Sequence, residues 1–396
     1  MHTEKRQGNH YYAMVNCRLF GESDFLLSEK NNNTDLALIV RDSRIEAIVA
    51  RKDVPADCSQ IDLNALRVLP GYIDLQLNGC GGVLFGETLD AATLDTMHST
   101  NLRTGCTAFL PTLVSSDDQT MAQAVEVVRH YRHRHPDRVP GLHLEGPYIN
   151  PDRKGIHDAR VLRQPTPTAI DFLCRNSDVI RMVTLAPEVC PPGMIETLCA
   201  HGIVVSVGHT DATCAQIQAA EQAGVRMATH LHNAMRPLTS REPGVVGAVL
   251  ESQTLCAGII ADGYHLAWEN LRLAHRLMQD RLLLVTDGTP ASGTTLESFM
   301  LGGHRVYCQD GQCRNLDGTL GGSALTMEQA VINALACGLP ADAVCRMATI
   351  NPARAIGLET TMGQLAAGQF ANLTLVDPDF KVQGTVSGGE LLLLNA

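Results

Sequence analysis

The sequence has no apolar run that approaches the length of a membrane span. Its opening residues, MHTEKRQGNHYY, lack the apolar stretch of a secretory leader. The expectation is a cytoplasmic chain with residues 1–10 as a disordered tail. There is no Cys-x-x-Cys pair among the 13 cysteines, and the nearest two are Cys308 and Cys313. That odd, scattered set reads as buried thiols in a reducing compartment, not as a disulfide framework. Positive charge is also short. The 31 Lys and Arg face 42 Asp and Glu, for a net charge of -11. This excludes non-specific binding to nucleic acid or an anionic membrane surface. An anionic ligand would have to be held by a local cluster of Arg, Lys or His. No Gly-x-Gly-x-x-Gly follows the first strand of the main repeating pattern, which weighs against a dinucleotide-binding fold. Internal repeats, low-complexity tracts and long charged linkers are absent too.

What is present is ordinary globular material. The 396 residues are 45% hydrophobic and 18% charged, enough for one large core and a smaller one. Residues 11–69 carry short strand-like runs (YYAMVNCRLF, LALIV, RIEAIVA, LRVLP) separated by polar turns. From Pro70 the pattern changes to eight apolar runs: 71–77, 107–113, 139–145, 179–188, 203–209, 225–232, 255–263 and 282–288. Most are followed by a helix-period segment. SDDQTMAQAVEVVRHYRHRH is one, with Ser115 or Ser116 as its expected N-cap, and DATCAQIQAAEQAG is another. Eight strand–helix alternations predict a (β/α)8 TIM-like barrel over residues 70–361. A Gly-rich loop and further helices follow the eighth run. Residues 362–396 return to strand-like runs, so 11–69 and 362–396 are expected to form one small β-sandwich domain from both termini.

The polar residues of the eight runs carry the chemistry. Glu145, His209, His230 and Asp287 each stand at the end of a different run, and the strand ends of a barrel converge on one mouth. Two imidazoles and a carboxylate are ligand types for Zn²⁺ or another divalent first-row metal. Such an ion makes hydroxide available near neutral pH, and Asp287 would serve as the acid–base group. Each residue has an ordinary alternative. A capping Glu, a hydrogen-bonded core His and an N-cap Asp are all common. It is the joint occurrence at four strand ends that favours a site. The stretch GLHLEGPYINPDRKGIHD also delivers His157 on a loop directly after Glu145. His232 lies two residues from His230, on the same side of an extended strand, and is an alternative ligand. His143 lies one pleat below Glu145 and reads as a core hydrogen-bonding residue.

Ten blocks carry a resemblance: PGYIDLQLNGCGG, GLHLEGPYINPDRKGIHD, VTLAPE, VVSVGHTDA, ATHLHNAM, REPGVVGAVL, GIIADGYH, LLLVTDG, GTLGGSALTM and NPARAIG. In this order the chain resembles the amidohydrolase superfamily, and within it the N-acetylglucosamine-6-phosphate deacetylase family. The resemblance implies a metal-dependent hydrolase acting on N-acetylglucosamine 6-phosphate in amino-sugar catabolism. The alternatives are the galactosamine epimer, another N-acyl sugar phosphate, or a non-catalytic sugar-phosphate-binding barrel. It implies Glu145, His209 and His230 as metal ligands, Asp287 as the acid–base residue, and His157 as the group that polarises the acetyl carbonyl. Ile156, His157, Asn233, Ala234, Arg241, the run Asp262, Gly263, Tyr264 and His265, and Leu320, Gly321 and Gly322 match substrate-binding positions. Arg241 and His265 match the phosphate contacts, one of them given by a partner subunit in a homodimer or homotetramer. The first strand has Gln76 and Asn78 where many superfamily members have His-x-His. Amides are poor zinc ligands, so one metal per subunit is expected (Zn, or else Fe, Mn or Co), with Gln76 beside the metal or its water. Gly288 follows Asp287 where relatives carry another residue, and is expected to loosen that turn.

Overall fold

The computed structural model describes residues 10–20 and 35–394. Apart from His10, the expected N-terminal tail lies outside the described residues. Eight parallel strands form the central sheet: β1 (Tyr72–Leu77), β2 (Cys106–Val114), β3 (Leu142–Glu145), β4 (Ile180–Leu185), β5 (Val204–Val207), β6 (Met227–Ala228), β7 (Cys256–Ile259) and β8 (Leu282–Leu284). They pair in chain order from β1 to β8, as in the barrel expected from the eight apolar runs. Strands covered on both faces read as continuous apolar runs, and every residue of β1 is buried. Fully burying one Leu or Ile of such a core contributes about 1.5–3 kcal/mol.

The barrel interior also carries a polar layer. His143 joins Thr112 of β2 at 3.1 Å to Thr184 of β4 at 2.8 Å. Thr184 continues to Thr229 at 2.7 Å, and Thr229 to Ser206 at 2.6 Å. His143 is therefore a hydrogen-bonded core residue, with both ring nitrogens occupied.

Two further sheets are built from the terminal segments, and the second joins the two ends of the chain. One holds Tyr11–Val15, Leu36–Arg41, Arg44–Ala50 and Ser59–Asp62. The other pairs Arg67–Pro70 with Leu373–Val376, followed by Val382–Ser387 and Glu390–Leu393. Met14, Leu38, Ile45 and Val68 pack with Leu373 and Val386 in one core.

Some local expectations need correction. The helix Asp118–Arg134 is capped by Asp117, whose side chain accepts from Thr120 N–H, and not by Ser115 or Ser116. The segment after β8 is not a plain Gly-rich loop. It forms an antiparallel three-stranded flap, β9 (Ser298–Leu301), β10 (His304–Gln309) and β11 (Gln312–Asn315). Cys308 and Cys313 are register partners across the β10–β11 hairpin, with Cα atoms 4.2 Å apart, and are bonded as a disulfide. The other cysteines are free. Among the described residues no helix is long and apolar enough to cross a membrane.

Candidate active site

Glu145 is the last residue of β3. The other three candidates lie past the regular ends of their strands: His209 after Val207, His230 after Ala228, and Asp287 after Leu284. All three turn out of the sheet with positive φ, of 49°, 33° and 51°. Non-glycine residues in this region are strained by about 1–3 kcal/mol each and cluster at functional sites. Strand parity therefore does not apply at His232. The chain has already left the strand, His232 itself has φ 80°, and it is absent from the cavity wall. His232 is not brought to the ligand group.

The remaining side chains converge. His209 Nε2 lies 3.3 Å from Glu145 Oε1, His230 Nε2 lies 3.1 Å from the same oxygen, and the two Nε2 atoms are 3.0 Å apart. The carbonyl of Arg153 accepts from His209 Nδ1 at 2.9 Å, which puts the proton on Nδ1 and leaves Nε2 as a bare lone pair. Zinc–nitrogen bonds of about 2.0–2.1 Å in a tetrahedron set neighbouring ligand atoms about 3.3–3.4 Å apart. The donor set and its spacing fit such an ion. His157 is the next group out, with Nε2 3.8 Å from Glu145 Oε2; Glu145, His157 and His209 also have ligand atoms within 4.8 Å of one another. Burial pushes the Glu145 carboxyl up, but the imidazoles of His209 and His230 beside it outweigh this and hold it well below the usual range.

His157 has a defined tautomer. The backbone N–H of Ser115 donates to its Nδ1 at 3.2 Å, and the Ser115 hydroxyl lies 2.7 Å away. Nδ1 is thus an acceptor, so the ring proton sits on Nε2, facing Glu145. Burial drives the His157 pKa down to about 3, so the ring is a neutral donor. Ser115 reaches this position because residue 146 is glycine. Gly146 has φ 83°, and a Cβ there would lie 2.2 Å from Ser115 Oγ.

Asp287 is held from β1. Its Oδ1 accepts from Asn78 Nδ2 at 2.7 Å and from Gln76 Nε2 at 3.1 Å. Gln76 Nε2 also donates to Glu145 Oε1 at 2.9 Å, so one amide ties the two carboxylates together. Burial, and then repulsion from Glu145, raise the Asp287 pKa to about 6. Gly288 does not loosen this turn. It bridges Leu77 on one side and Ser323 on the other, and a Cβ there would lie 2.7 Å from Leu77 Cδ1.

Asn78, Glu145, His157, His209, His230 and Asp287 line a cavity of about 410 Å³, a size that takes a small polar metabolite. Ile156, Asn233, Ala234, His265, Leu320 and Gly322 are on its wall. Asp262, Gly263 and Tyr264 stand behind it. Asp262 Oδ2 accepts from His265 Nδ1 at 2.6 Å, and the Tyr264 hydroxyl donates to the Asp310 carbonyl at 2.6 Å, docking the flap. Gly321 backs the wall, where a Cβ would lie 2.8 Å from Val306. Arg241 is exposed and is not on the cavity wall of its own chain. The sequence reading missed Ser115 and the flap residues Leu301 and Arg314, which also line the cavity or hold its groups. The alternation in SFMLGGHRVYCQDGQCRN, with Gly-Gly and Asp-Gly turns, was the available signal for the flap.

The model of the amidohydrolase family matches residues 67–392. An N-acetylglucosamine-6-phosphate deacetylase of Haemophilus influenzae is 40% identical over 383 residues, which cover 96% of this chain and 98% of that protein. An N-acetylgalactosamine-6-phosphate deacetylase of a Shewanella strain is 34% identical over 339 residues, 85% of this chain and 86% of its own. The crystal structure of N-acetylglucosamine-6-phosphate deacetylase from Pasteurella multocida superposes with a TM-score of 0.91 at 42% identity, covering 97% of this chain and 100% of that one.

Proposed function

The chain belongs to the amidohydrolase family, and on that premise we propose that it hydrolyses N-acetylglucosamine 6-phosphate to glucosamine 6-phosphate and acetate. The observation that carries this reading is the convergence of Glu145, His209, His230, His157 and Asp287 on one cavity, in a chain similar over nearly its full length to deacetylases of that substrate. Glu145, His209 and His230 would hold one divalent cation, with Zn²⁺ favoured by two imidazoles and a carboxylate. When bound, the ion lowers the pKa of water and withdraws charge from an acyl oxygen.

The protein's own groups then have separate tasks. Asp287 takes the proton of the attacking water and delivers it to the departing amine nitrogen; its raised pKa suits both halves of that transfer. The Nε2–H of His157 donates to the acyl oxygen as negative charge develops there. Gln76 and Asn78 hold Asp287 by amide hydrogen bonds, which leaves no imidazole on β1 for a second metal. His265 and Arg314 line the cavity as phosphate contacts, and Arg314 supplies the positive charge. Arg314 has no ion-pair partner among the described residues. Arg241, exposed outside its own cavity, is assigned to the cavity of a neighbouring subunit in a homo-oligomer, and the enzyme to the cytoplasm.

The galactosamine epimer is the second reading, favoured by the 34% identical relative named for it. Comparing kcat/KM for acetate release from the two epimers tests the assignment. A preference for N-acetylglucosamine 6-phosphate supports the first reading, and a reversed preference replaces it with the second.

A further inference from the structure

The barrel is held at its seam by a buried side chain that none of the chemistry above uses. β1 and β8 are the two ends of the sheet order, and the chain leaves β8 at Leu284. Across this seam Asp287 N–H donates to the Gln76 carbonyl at 2.9 Å, and the N–H groups of Asn78 and Gly79 donate to the Gly288 carbonyl at 3.0 Å. Below these bonds stands Asp74, 1% exposed. Its Oδ1 accepts from Gln76 N–H at 3.1 Å and from Thr286 N–H at 3.3 Å. Its Oδ2 accepts from the Thr286 hydroxyl. The oxygen of that hydroxyl accepts from Gly288 N–H at 3.0 Å.

One carboxylate on β1 therefore grips both neighbours of Asp287: Thr286 directly, and Gly288 through the threonine hydroxyl. The same carboxylate fixes the backbone of Gln76, whose side chain joins Glu145 to Asp287. Asp74 is not on the cavity wall and cannot touch substrate. It has no ion-pair partner among the described residues. Burying a carboxylate without a cation is unfavourable, so packing alone does not explain an acid here. Burial pushes its pKa up to about 7.

We propose that Asp74 is a positioning residue, whose three accepted hydrogen bonds hold the Thr286–Gly288 turn and Gln76 so that the Asp287 carboxylate faces the reacting atoms. The turnover assay for this rests on the deacetylase reading; the geometry does not.

The test uses the full-length, metal-loaded enzyme and three variants: Asp74→Ala, Asp74→Asn and Thr286→Val. A displacement of about 1 Å at a reacting group costs roughly 100-fold in rate. Asp74→Ala should lose about that factor in kcat, with KM within about threefold of wild type and metal content unchanged. Asn keeps an oxygen for both backbone N–H groups, so Asp74→Asn should recover to within about tenfold of wild type. Thr286→Val removes the hydroxyl link alone and should fall between the two; it decides the matter with Asp74→Asn if the alanine variant does not fold. Wild-type kcat in Asp74→Ala and Thr286→Val overturns the proposal. So does an Asp74→Asn as impaired as the alanine, or a parallel loss of metal and rise in KM. A wild-type protein inactive on acetylated amino-sugar phosphates would instead sink the substrate reading. The positioning claim would then be read from a crystal structure of Thr286→Val, where an Asp287 carboxylate still seated on Gln76 and Asn78 overturns it.

Discussion

Replacing Asp287 with Asn should separate stability from catalysis. The substitution is nearly isosteric, and its oxygen can keep the bonds from Asn78 at 2.7 Å and Gln76 at 3.1 Å. It removes the base, so kcat should fall by about 10²–10⁴. Stability should move the other way in chelator-treated protein. Burial and the neighbouring Glu145 raise the folded pKa of Asp287 from 3.8 to about 6. The folded state thus prefers the protonated acid. The favourable contribution is complete below pH of about 4 and is lost as pH rises through about 6. Asn carries no such charge. A shift of about two units corresponds to about 3 kcal/mol as an upper bound, or a Tm increase of about 3–4 °C for a chain of this size. Calorimetry at pH 4 and pH 7, beside acetate release, measures both effects. The expected result is equal Tm at pH 4, a higher Tm for the variant at pH 7, and collapsed turnover. Turnover within tenfold of wild type, or a lower Tm at pH 7, would refute the reasoning.

Other outcomes follow from the same geometry. Glu145→Ala or His209→Ala should abolish stoichiometric metal binding, read by elemental analysis, because each removes one vertex of the Glu145–His209–His230 triangle. His157→Ala should reduce kcat by about 10²–10³ through loss of one oxyanion donor. Ser115→Ala should lose far less, since the Ser115 backbone N–H still fixes the His157 tautomer. Arg314→Ala should raise KM for the sugar phosphate severalfold while leaving acetate release from the unphosphorylated sugar unchanged. Equal effects on both substrates would remove Arg314 from phosphate binding.

The barrel and the four converging side chains were legible because their signals are local. An apolar run buried on both faces announces a parallel strand, and a polar residue at its end announces the mouth. What was not legible depended on backbone turns and on contacts between distant segments. His209, His230 and Asp287 reach the site through positive φ, which apolar periodicity does not encode, so parity arguments about His232 went astray. Ser115 looked like a helix cap; its role on His157 depends on Gly146, 31 residues later and just past the end of the next barrel strand. Gly288 looked permissive, yet it is packed between Leu77 and Ser323. The Cys308–Cys313 bond is not evident from sequence spacing, because only the hairpin register brings the two residues face to face.

The central claim is a single-metal deacetylase built on Glu145, His209 and His230. Its most direct test is metal content per subunit of protein purified without chelator, paired with acetate release from N-acetylglucosamine 6-phosphate. The expected result is about one divalent metal per subunit, with rapid release that stops on chelation and returns with Zn²⁺. Two metals per subunit, or one metal with no acetate released, would contradict it.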